Sequence, residues 1–156
     1  MTAGTSRAAA SEAARTAPVV LSVDGAIAAP GFVNFTRADL ARLGLHRIET
    51  VTPWSDTATV FEGPLLRRVL EHVRARGDTL KAVALNDYRI TIPVSDARRH
   101  DVILAISENG KALGVRERGP VRVVYPWSAD PDLRSELYYS RAIWQMRRLT
   151  VLPKGG

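Results

Sequence analysis

The chain has 156 residues, 46% of them hydrophobic, a formal charge of +6 and no cysteine. That length supports one domain with a substantial core, and the missing cysteines exclude disulfides, thiolate metal ligands and a thiol nucleophile. No apolar run approaches the roughly 20 residues of a membrane-spanning helix, and the basic excess, nearly all arginine, is scattered through the chain and does not form a nucleic-acid-binding stripe.

Residues 1–17 are mostly Ala, Ser, Thr and Arg, so they predict a flexible leader ahead of a domain spanning residues 18–153. The leader lacks the apolar core of a signal peptide and is similar to the small-residue region that follows a removed one. Val19, Leu21 and Val23 alternate up to Asp24-Gly25, which predicts a first strand within Pro18–Ile27. Thr36 and Asp39 have the spacing of a helix cap and its reciprocal carboxylate, with Gly44 as the stop. A strand is expected over His46–Thr52, delivering Trp54 to a loop. An amphipathic helix follows from Pro64 to Arg76, with Leu65, Leu66, Val69, Leu70 and Val73 on one side and Gly77 at its end.

Lys81–Leu85 reads as a strand, Asn86-Asp87 as a turn, and Tyr88–Ile92 as a returning strand with Tyr88, Ile90 and Ile92 on one face. Ser95-Asp96 caps a single helical turn. The apolar run Asp101–Ser107 predicts a central strand, and Glu108–Lys111 a hairpin turn. Val121–Tyr125 reads as a buried strand, Pro126–Tyr139 as a long loop and Ile143–Val151 as the final strand. Many strands with few helices give an α+β class with mixed, mostly antiparallel sheets. His46, His72 and His100 are dispersed without metal-ligand spacing, so no metal site is expected.

Several short motifs occur in a fixed order. They are the Trp54 loop, Phe61-Glu62-Gly63-Pro64-Leu65, Leu85-Asn86-Asp87-Tyr88 with Ile92-Pro93, Asp101–Ala105 with Asn109–Leu113, Gly119–Trp127, and Trp144-Gln145-Met146. From about Val19 to Val151 this set resembles the molybdopterin-binding domain of the sulfite oxidase superfamily in its short, single-domain form. In the catalytic members a cysteine just before the Trp loop ligates molybdenum. Thr50 stands at that place, and a neutral hydroxyl is a poor substitute for a soft thiolate. The resemblance therefore implies the sulfite-oxidase-like fold and a pocket for a reduced pterin (a tetrahydropterin), with no catalytic residue and with the molybdenum cofactor not expected.

On that resemblance Trp54, Tyr88 and Trp127 supply aromatic faces for the ring, and Glu49, Asp56 and Asp87 are candidates for pairing with its edge. Thr50 and Thr52 border the strand end. Arg116, Arg118, Ser140 and Arg141 fall where the family contacts the cofactor's tail. Trp144, alternating into the final strand, reads as core. The cysteine-lacking short members include periplasmic pterin-binding sensors that dock onto the extracytoplasmic domain of a membrane-bound diguanylate cyclase or phosphodiesterase. The expectation is a non-catalytic periplasmic sensor acting on cyclic di-GMP signalling through such a partner, with no nucleic acid and no membrane insertion. The Pro126–Tyr139 loop, with Asp130, Asp132, Arg134 and Glu136, is the expected docking surface. The alternatives are a molybdenum cofactor-dependent oxidoreductase without a Cys ligand and, for the compartment, the cytoplasm.

Overall fold

The computed structural model describes residues 17–154, so the expected leader lies, apart from Ala17, outside the described residues. In chain order the strands are β1 (Val19–Gly25), β2 (Phe32–Thr36), β3 (His46–Val51), β4 (Ala58–Gly63), β5 (Thr79–Ala84), β6 (Arg89–Pro93), β7 (Ile103–Ala105), β8 (Ser107–Glu108), β9 (Lys111–Ala112), β10 (Arg122–Val124) and β11 (Met146–Leu152). The helices are α1 (Arg37–Arg42), α2 (Leu66–His72), α3 (Val94–Arg99) and α4 (Glu136–Arg141).

Three sheets share one core. The largest has the order β2-β1-β11-β5-β6, the second β3-β4-β8-β9, and the third is the pair β10-β7. The C-terminal strand β11 lies in the middle of the largest sheet, parallel to β1 and antiparallel to β5. The remaining pairings are antiparallel, which gives the mixed, mostly antiparallel α+β architecture. Leu21, Val23, Leu80, Leu104, Val123 and Leu149 lie buried between the layers.

Local sequence explains several of these elements directly. Thr36 Oγ1 accepts from the Asp39 N–H at 3.1 Å while the Asp39 carboxylate accepts from the Thr36 N–H at 2.9 Å, closing a capping box on α1. Asn109 (φ +50°) and Gly110 (φ +82°) supply the two positive φ values of the β8-β9 hairpin turn.

Tertiary contacts override the rest. The helix expected over Pro64–Arg76 forms only over Leu66–His72, because Pro64 O accepts from the Leu104 N–H at 2.9 Å and Leu65 bridges Ile103. The two leading residues are thus drawn into the sheet. Phe61–Gly63 belongs to β4, and β2 is a strand that the sequence reading did not contain. The run Asp101–Ser107 divides: Ile103–Ala105 pairs with β10, whereas Ser107–Glu108 pairs with β4 and β9. A Cβ on Gly63 would collide with the Leu104 carbonyl, so only glycine lets β4 end against β7. The Ser95-Asp96 turn is a six-residue helix, α3. The Pro126–Tyr139 segment contains a 3₁₀ turn, Pro131–Leu133, and the first turn of α4. The final strand begins at Met146, leaving Ile143, Trp144 and Gln145 outside it.

Candidate functional site

The ends of β3 and β5 and the start of β11 bring four segments together: the Trp54 loop, the Asn86–Tyr88 turn, the end of α4 and residues Ala142–Gln145. Between them lies an open cleft of about 270 Å³ bordered by Trp54, Asn86, Tyr88, Ser140, Trp144 and Gln145. Two lobes adjoin it. One, about 280 Å³, is bordered by Thr52, Pro53, Trp127 and Ser128; the other, about 300 Å³, by Pro53, Trp54, Glu136 and Ser140. Tyr139 borders all three.

Trp54 is 39% exposed and Tyr88 50%. Trp54 meets Trp144 edge-on at 4.9 Å between ring centroids and Trp127 at 6.2 Å. A cleft walled by aromatic rings with a few polar groups suits a flat heterocycle. The walls are held in place locally. Thr52 Oγ1 accepts from the Trp54 N–H at 3.3 Å. Arg147 donates to Asp87 at 2.6 Å and to Ala84 O at 3.2 Å, pinning the Asn86-Asp87 turn. Asp87 (φ +67°), Arg118 (φ +71°) and Gln145 (φ +52°) all adopt the left-handed conformation beside the cleft, a costly backbone that persists where surroundings over-determine it. Gln145 N–H donates to Arg118 O at 2.9 Å, and the Arg118 guanidinium lies 4.4 Å over the Trp144 ring.

Beneath the cleft Trp127 is only 1% exposed and packs against Tyr125 and Tyr139. The Tyr125 hydroxyl donates to Asp96 at 2.8 Å, and Arg141 donates to the same carboxylate at 2.9 Å, so α3 holds the end of α4. Burial, reinforced by Asp96, keeps the Tyr125 hydroxyl protonated far above its ordinary range. The indole N–H groups of Trp127 and Trp144 are buried and unpaired, at a cost of about 1–3 kcal/mol each. Arg122, 1% exposed, lies over the Phe61 ring at 4.8 Å. Among the described residues its Nε and Nη2 have no partner, and its ion-pair contact is Glu108 at 3.6 Å. Burial and then the nearby Arg118 charge lower its pKa to about 10.

The structure brings Trp54, Tyr88 and Ser140 to one cleft, and Thr52 to its adjoining lobe. It places other candidates elsewhere. Glu49 lies on the exposed side of β3, 3.8 Å from Arg47, and Asp56 is exposed on the far part of the loop. Asp87 is engaged by Arg147, and Arg141 by Asp96. Arg116 is exposed on the 3₁₀ turn Val115–Glu117, and Trp127, almost wholly buried, borders the adjoining lobe and not the cleft between Trp54 and Tyr88. Trp144 occupies the wall position instead. Its place in the alternating pattern concealed this, because strand pairing starts only at Met146 and the indole is carried out of the sheet. Asn86 and Gln145 were legible only as members of the Leu85–Tyr88 and Trp144–Met146 motifs, Tyr139 only as the end of a loop, and Arg122 lay unremarked inside the Gly119–Trp127 motif.

The family model described as "Oxidoreductase molybdopterin binding domain" matches residues 21–130, well over half of the chain. The chain belongs to that family. Its fold is similar to that in the crystal structure of the sulfane dehydrogenase SoxCD from Paracoccus pantotrophus, with a TM-score of 0.58 and 21% identity over 85% of this chain. The chain spans 37% of that structure's chain. No curated protein sequence matches it at a significant level.

The residues present fit the two halves of a molybdopterin-type group differently. The aromatic cleft suits a pterin ring, and the Arg118 guanidinium, held over the Trp144 ring that borders the cleft, is a cation suited to an anionic tail. The metal half finds no anchor at Thr50. That side chain is 1% exposed, its Oγ1 accepts from the Ser128 N–H at 2.9 Å and lies 3.1 Å from Ser128 Oγ, and Ser128 Oγ in turn accepts from the Val51 N–H. A hydroxyl committed in this way is neither free nor soft enough to replace a thiolate.

Proposed function

We propose that this molybdopterin-binding domain is a non-catalytic receptor for a reduced pterin. The observation that carries the reading is Thr50, which stands where the resemblance expects the metal-ligating cysteine and whose Oγ1 is committed to Ser128, while the aromatic cleft beside Trp54 is open. Ligand would stabilise whichever arrangement of the Trp54 loop and α4 closes on it, by no more than its differential affinity for the two arrangements. The resemblance to short periplasmic sensors supports a relay to the periplasmic domain of a membrane-bound cyclic di-GMP regulator, with α4 and the preceding 3₁₀ turn as the docking surface. Fluorescence titration with a tetrahydropterin tests the receptor: Trp54→Ala and Tyr88→Ala should each weaken binding by about 1–3 kcal/mol. Absence of micromolar binding, or indifference to both substitutions, would sink it.

A molybdenum cofactor oxidoreductase without a protein thiolate is the second reading, favoured by the family match and by the fold shared with a dehydrogenase. Elemental analysis of protein from a host that makes the cofactor decides between them, and stoichiometric molybdenum would reverse the order.

A further inference from the structure

Among the described residues no carboxylate borders the cleft between Trp54 and Tyr88, Glu136 lining only an adjoining lobe; its polar wall includes the neutral side chains Asn86, Ser140 and Gln145. Backbone partners fix which end of each amide is available. Asn86 Oδ1 accepts from the Tyr88 N–H at 3.1 Å, so its NH₂ is the free end and can only donate. Gln145 Nε2 donates to Val115 O at 2.9 Å, which leaves Oε1 as the free acceptor. Ser140 Oγ donates its proton to Leu137 O at 2.7 Å and retains only acceptor capacity.

Resting on the pterin reading above, we infer that Asn86 and Gln145 read the lactam edge of the ring, Gln145 Oε1 accepting from the ring N3–H and Asn86 Nδ2 donating to the C4 carbonyl. This differs from recognition by an acid, which pairs with N3–H and the 2-amino group and brings a negative charge to the ring. A paired amide contact reads a donor-acceptor edge without adding charge, as Asn and Gln do on base edges. A 2,4-diaminopteridine presents the reversed pattern at these positions, an acceptor at N3 and a donor at C4, so the cleft should select against it.

The test compares 6,7-dimethyl-tetrahydropterin with 2,4-diamino-6,7-dimethyl-5,6,7,8-tetrahydropteridine by anaerobic titration against the wild-type protein and two variants, with thermal unfolding to confirm that each variant is folded. Wild type should bind the lactam compound at least about tenfold more tightly. Asn86→Ala, which deletes the donor, should weaken lactam binding about tenfold. Asn86→Asp, which keeps the acceptor for Tyr88 N–H but faces C4 with negative charge, should weaken it further and move the preference toward the diamino compound. Wild-type protein that binds the diamino compound equally or better, or variants that leave lactam binding unchanged, would overturn the edge assignment and leave the pterin receptor standing. Failure to bind either compound would overturn the receptor itself.

Discussion

Arg122 carries a charge into the interior with two of its nitrogens unpaired among the described residues, and its ionic partner there, Glu108, is itself partly solvated. Burying a charge that is incompletely paired costs more than the pair returns. Arg122→Met keeps the packing against Phe61 and strands no buried partner, so the ligand-free variant should unfold at the same temperature as wild type or higher. A clear fall in Tm by calorimetry would show that the guanidinium stabilises the fold. Trp127 and Trp144 differ in burial, the first almost wholly buried and the second half-buried. Trp127 follows β10 and is almost wholly buried against Tyr125 and Tyr139. Trp144 precedes a strand and has Arg118 on one face and the edge of Trp54 on another.

At the scale of elements, α1 shows how far local chemistry reaches. Its start is written in Thr36 and Asp39, and each satisfies an N–H that the helix leaves free. Thr36→Ala should cost about 1 kcal/mol. The Asp39 pKa is lowered, chiefly by the hydrogen bond from the Thr36 N–H. A carboxylate with a depressed folded pKa adds stability above its unfolded value, here near 3.8, and loses it as pH falls through the lower folded value. The gap between wild type and Asp39→Ala in chemical denaturation should therefore narrow below about pH 4. A gap that widened on acidification would contradict the capping box. For α2 the local signal was present but incomplete: Pro64 is a good first helical residue, yet the free carbonyl of Pro64 and the Leu65 backbone find partners in the Ile103–Leu104 segment.

Across the whole molecule the fold depends on its last strand. β11 separates β1 from β5 and pairs with both, joining Ser22 to Arg148 and Ala82 to Leu149. Without it the largest sheet would fall into two separate hairpins, each too small to be stable by itself. A chain ending at Gln145 should fail to give a cooperative unfolding transition by circular dichroism, and a cooperative transition in that truncated chain would show that the other two sheets suffice. The same strand places the cleft, since Trp144 and Gln145 sit at its entry while the Trp54 loop and the Asn86–Tyr88 turn leave β3 and β5.

By itself the sequence determined the fold class, the family, the capping of α1, the β8-β9 hairpin and the missing thiolate at Thr50. Each of these is carried by side-chain identity over a few neighbouring positions, or by the order of such motifs. Only the tertiary structure decided that Trp144 lines the cleft and Trp127 lies beneath it, that Glu49, Asp56 and Asp87 stay out of it, and that neutral amides form its polar wall. Those outcomes depend on where strands begin, which backbone groups claim each side chain, and which segments distant in the chain converge, and no local pattern of residues encodes them.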